Sequence, residues 1–99
     1  QAQLRAHTAE LDADLAEYHR LDRALARQHE VLLPLAQEKV TLVQAAWRGG
    51  QGSLAELIGA RRARIDAELK AIELAGARDE MAARLHFTYA QPDEPGVQP

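Results

Sequence analysis

Midway along this 99-residue chain, Gly49-Gly50-Gln51-Gly52-Ser53 interrupts two long helical patterns. Three glycines in four residues supply the positive φ that ends one helix and turns the chain back. Ser53 then offers an N-cap, and Glu56 stands three residues further on. That is the spacing of a capping box, in which each side chain satisfies an orphan backbone donor, and such caps contribute about 1 kcal/mol. With one strong reversal at its centre, the chain is expected to be all-α. It should form a long antiparallel helical hairpin of coiled-coil character, with helices over about 2–48 and 53–88 and a tip at 49–52.

The flanks support this. Leu4, Leu11, Tyr18, Leu25 and Leu32 recur every seven residues, and Leu15, Leu21, Leu35 and Leu42 fill intervening positions with some drift. Past residue 33 a second stripe joins, made of Leu33, Ala36, Val40, Val43 and Trp47, so the apolar face widens toward the turn. In the second helix Ile58, Ile65 and Ile72 repeat every seven residues with Leu69 between the last two, and Leu74, Met81 and Leu85 continue the face with a shift. Folding the arms about the turn sets Val43 opposite Ile58, Ala36 opposite Ile65 and Leu32 opposite Leu69. Pro34 removes a helical hydrogen bond and clashes with the preceding turn, which predicts a kink or short break near Glu30–Pro34. Gly59 and Gly76 weaken the second helix or permit close helix approach. Asp66–Lys70 and Glu80–Arg84 are spaced as i,i+4 ion pairs. Trp47 is placed to fold over Leu54 or Ile58. Residues 90–99, rich in Pro and Gly, read as a disordered tail, which leaves 1–89 as the hairpin. At 1.5 Å per residue the arms span ~70 Å and ~50 Å. Two such helices make a thin core, and the surplus apolar width asks for further helices from another copy or another part of the protein.

Composition narrows the function classes. There is no Cys, so neither a disulfide nor a thiolate metal site is available. A formal charge of −3 offers no electrostatic case for a nucleic-acid partner. No apolar run reaches the roughly 18 residues of a membrane span. No signal peptide is visible and the first residue is Gln, so a piece of a longer protein is expected.

The segment Trp47-x-x-Gly50-x-x-Ser53-Leu54-x-Glu56-Leu57-Ile58-x-Ala60-Arg61, with Leu32-Leu33-Pro34 upstream and Ile65-x-Ala67-Glu68-Leu69 downstream, resembles the second periplasmic hairpin of TolC-like outer-membrane efflux proteins. Leu85-His86-Phe87 before a Pro-rich tail resembles the C-terminus of such proteins. The Leu-Leu-Pro segment and this ending are most similar to the CzcC/CusC-like heavy-metal branch. The resemblance implies a trimeric channel with a β-barrel in the outer membrane and a helical barrel in the periplasm. Its hairpin tips dock onto a periplasmic adaptor (membrane fusion) protein, which links to an inner-membrane pump. Carried over, Gly50, Gln51, Gly52, Ser53 and Leu54 form the adaptor-docking turn, and Glu56 falls where some members line the tunnel aperture. Gly59 departs from the pattern, since a second acidic residue is common there. The function implied is a periplasmic hairpin in a tripartite efflux system for heavy-metal cations, without cofactor, nucleic acid or membrane contact of its own. The isolated piece is expected to self-associate as a dimer. The alternatives are a generic coiled-coil dimerisation module and the hairpin of the adaptor itself.

Other residues carry less. His7, His19, His29 and His86 are not spaced i,i+3 or i,i+4, as two ligands on one helix face require. Arg61, Arg62 and Arg64 are expected to be solvated or to pair with Glu38 and Asp66. Catalysis finds no support: Ser53 has no nearby His as base, capping accounts for both Ser53 and Glu56, and the glycine turn lacks the Lys of a phosphate-binding loop.

Overall fold

The computed structural model describes residues 1–90. Helix α1 runs Ala2–Arg27, a π turn spans Gln28–Leu32, and α2 continues Leu33–Arg48. After the tip, α3 runs Leu54–Leu85 and passes into a second π turn, His86–Ala90. The two arms fold into the expected all-α antiparallel hairpin, a rod 70 × 33 × 17 Å. Arm ends at residues 2 and 48 match the sequence reading, and the second arm stays helical two residues beyond it. The expected disordered tail at 90–99 lies outside the described residues except for Ala90, which belongs to the second π turn.

The seam on α3 follows steps of three and four residues: Leu57, Ala60, Arg64, Ala67, Ala71, Leu74, Arg78, Met81 and Leu85 are all buried or half-buried. This corrects the pairing expected from periodicity. Ile58, Ile65, Leu69 and Ile72 lie outside the seam, at 46%, 47%, 57% and 69% exposure. The seven-residue spacing of the isoleucines breaks at Asp79, whereas the alanine-rich spacing runs the length of the helix. Leu21, Leu25 and Val40 of the first arm are buried where the arms meet. The main cluster joins Leu21 and Leu25 to Ala71 and Leu74, flanked by Ala24, Ala75, Ala77 and Met81. Among the described residues no side chain is completely enclosed, as befits two helices that cover each other on one side only.

The first arm carries one seam that changes register. It follows Leu11, Asp14, Tyr18, Leu21, Leu25 and Gln28, then resumes at Leu33, Ala36, Val40 and Val43. The step from 28 to 33 is one residue too long for an α-helix, and the π turn absorbs it. The Leu33 N–H accordingly donates to the Gln28 carbonyl, five residues back. Pro34 sits in the first turn of α2, directly after this widened turn, so the arm stays helical through its proline. The Leu11, Tyr18 and Leu25 part of the first stripe and the Leu33, Ala36, Val40 and Val43 part of the second are thus the two halves of one seam, whereas the ends of those stripes at Leu4, Leu32 and Trp47 fall outside it. Leu4, Leu15, Leu32, Leu35 and Leu42 stay exposed. The α3 seam ends in the second π turn at Tyr89, four residues beyond Leu85.

Polar contacts knit the arms at the end far from the tip. The Asp14 carboxylate accepts from the Tyr89 hydroxyl at 2.8 Å and from Arg84 Nε at 3.1 Å. Arg78 bridges to Asp22 at 3.3 Å. The i,i+4 pairs expected from spacing do not form. Lys70 pairs with Glu73, and Arg84 turns across the seam to Asp14, where a carboxylate of 15% side-chain exposure rewards a partner more than a solvated one does.

Candidate functional site: the hairpin tip

The tip is built by two interlocking caps. At the end of α2, the Gln51 N–H donates to the Ala46 carbonyl at 2.8 Å and the Gly50 N–H to the Trp47 carbonyl at 3.0 Å. This pair of bonds, with Gly50 at φ 81°, is a Schellman motif. Gly52 also has positive φ, at 78°, whereas Gly49 does not, at −81°. Two of the three tip glycines therefore carry the reversal. At the start of α3 the capping box is complete. The Glu56 N–H donates to Ser53 Oγ at 3.1 Å, and Glu56 Oε1 accepts from the Ser53 N–H at 3.0 Å and from its hydroxyl at 3.2 Å. Backbone and side-chain bonds thus cap both helices that meet at this short turn, at the end of a long rod.

The candidate docking residues Gly50, Gln51, Gly52, Ser53 and Leu54 are all exposed at this end. Trp47 and Leu54 beside them are 44% and 54% exposed. Glu56, the candidate aperture residue, is held by the capping box and lines a shallow groove with Lys39, Val43, Gly59, Ala60 and Ala63. A Cβ at Gly59 or Gly76 meets nothing within 4 Å, so neither glycine serves a close approach of the two arms.

The charge is polarised along the rod. Between residues 39 and 64 stand Lys39, Arg48, Arg61, Arg62 and Arg64, against the single acid Glu56. Among the described residues none of these five cations forms an ion pair. Arg61, Arg62 and Arg64 do not reach Glu38 or Asp66. Arg64 lies in the seam, and its Nε is buried without a hydrogen-bond partner.

The four histidines do not converge. His7 packs against the Tyr89 ring at 5.1 Å, and His86 against Phe87 at 4.9 Å. Among the described residues no three His, Asp or Glu side chains come together as a metal site would require. Among the described residues no helix is long and apolar enough to cross a membrane. Comparison with family models, with curated proteins and with solved structures finds no match.

Proposed function

We propose that this hairpin is an assembly element that presents its tip to a protein partner, acting through binding and not catalysis. The observation that carries this reading is the tip itself. Two complete capping motifs hold Gly50–Leu54 rigid and exposed at the end of a 70 Å rod, with Trp47 and Leu54 partly uncovered beside unpaired cations. A preordered turn costs little conformational entropy when it binds. In its more specific form the reading follows the TolC-like resemblance. The rod is then a periplasmic hairpin of an outer-membrane channel, and Gly50, Gln51, Gly52, Ser53 and Leu54 meet the adaptor. The exposed apolar residues fit a wall of neighbouring hairpins. Counted from the seam, Leu35 and Leu42 fall on one flank and Ile58, Ile65 and Ile72 on the other, so a hairpin in a wall has an apolar stripe for each neighbour. The heavy-metal branch rests on Leu32-Leu33-Pro34 and the chain's ending alone.

The test is substitution at the tip of the full-length protein. Gly52→Asp and Leu54→Asp alter exposed positions and leave the seam intact, and Asp tolerates positive φ better than most residues. Folding and trimer assembly should persist while adaptor crosslinking and efflux are lost. If efflux survives both changes, the tip does not dock. If the tip is indifferent and Leu25→Asp in the seam abolishes function, the protein is a coiled-coil module.

A further inference from the structure

The outer stripe of α3 is self-complementary. Along it lie Ile58, then Arg61 and Arg62, then Ile65, then Glu68, then Ile72, with the isoleucines half-exposed or more and no intrachain ion pair on Arg61, Arg62 or Glu68 among the described residues. Read outward from Ile65, the stripe is basic toward the tip and acidic toward the far end, with an isoleucine beyond each charge. A two-fold axis through Ile65 brings Ile65 against Ile65 of a second copy, Ile58 against its Ile72, and Arg61 against its Glu68 on the same flank of the contact. The pairing is attractive because the charges change sign across the centre. A stripe of one sign would repel itself. We propose that two copies of this chain associate through this stripe, antiparallel, as an isologous dimer centred on Ile65. Helices packed 8–10 Å apart leave Arg and Glu side chains within reach of each other, twice per dimer by symmetry. The contact uses the shaft of the second arm and not the tip, so it is independent of tip docking, but it covers the isoleucine stripe that a wall of hairpins would give to a neighbour, and the two assemblies exclude each other on that face.

The 99-residue chain is tested by sedimentation across a concentration series, with helicity followed by circular dichroism. The expected species is a dimer. Arg61→Glu and Glu68→Arg should each raise its dissociation constant by about tenfold, because each sets like charges opposite one another twice, and the double variant should restore it. Ile65→Glu should abolish the dimer with helicity unchanged, since Ile65 lies outside the intrachain seam. The chain has no cysteine, so single thiols report the symmetry. With a short bismaleimide, Ile65→Cys should link to itself, while Ile58→Cys should link to Ile72→Cys and not to itself. A strict monomer, or a dimer indifferent to the charge reversals, overturns the proposal. Linking of Ile65→Cys to Leu42→Cys in preference to itself would also overturn it, in favour of side-by-side assembly.

Discussion

Gly50 and Gly59 both have open space where a Cβ would stand, yet they do different work. Gly50 at φ 81° is held in the left-handed region by the Schellman bonds, whereas Gly59 is an ordinary helical residue. Gly50→Ala should therefore cost about 1–2 kcal/mol from the steric penalty of that region. Gly59→Ala should stabilise by about 1 kcal/mol, as helix propensity dictates, and thermal melts of the two variants should move in opposite directions. Arg64 is the converse case of a residue that weakens its surroundings. It occupies a seam position with Nε buried and unpartnered, so Arg64→Met should raise stability by about 1 kcal/mol in urea denaturation. Gln28, the buried polar residue across the arms, differs because its amide donates to the Ala67 carbonyl at 3.0 Å. That carbonyl belongs to α3, so the bond ties one arm to the other in a fixed register.

At the level of the elements, the first of the two π turns explains why the periodicity of the first arm drifts. It inserts one residue and returns the next seam position, Leu33, to the partner arm. The first lies immediately before Pro34, where a regular helix would place the ring against the preceding turn. If the π turn is a one-residue insertion, its removal should be tolerated. Deleting the exposed Glu30 together with Pro34→Ala makes the step from Gln28 to Leu33 four residues long, and stability should stay within about 1 kcal/mol of the parent. A large loss in melting temperature would show that the widened turn is required in itself. The capping box and Schellman motif were legible from Gly50, Ser53 and Glu56, because caps depend on residues adjacent in sequence. The π turns were not, since a five-residue step in a leucine-rich helix is indistinguishable from a second stripe until the partner arm shows which residues it covers.

For the molecule as a whole, the hairpin is a rod whose far end is clasped by Asp14, Arg84 and Tyr89 and whose tip is clasped only by local caps. The clasp has a pH signature. Desolvation, then the hydrogen bond to Asp14 and the negative charges of Asp14 and Glu10, raise the Tyr89 hydroxyl above its ordinary value against the opposing charge of Arg84. A raised value means that the folded state holds the proton more tightly than the unfolded state. The stabilisation is fully present below the ordinary phenol value near 10 and is lost as pH climbs through the raised one. Alkaline titration should therefore lower the melting temperature, and Tyr89→Phe should flatten that dependence while lowering stability at neutral pH. An unchanged alkaline slope in Tyr89→Phe would remove the clasp from the account. The helices, their ends at residues 2 and 48, and the reversal at 49–52 were already present in the amino-acid order, because glycine turns, caps and helical periodicity are local properties of the backbone. Which stripe of α3 faces inward was decided only when the arms met. Two stripes satisfied the helical period, one through the isoleucines and one through Leu57, Ala60, Ala67, Ala71, Leu74, Met81 and Leu85. Favourable burial of the isoleucines alone would have chosen the first. Only the second continues unbroken along the helix opposite the seam of the first arm, so packing of the arms selected it and left the isoleucines on the outside.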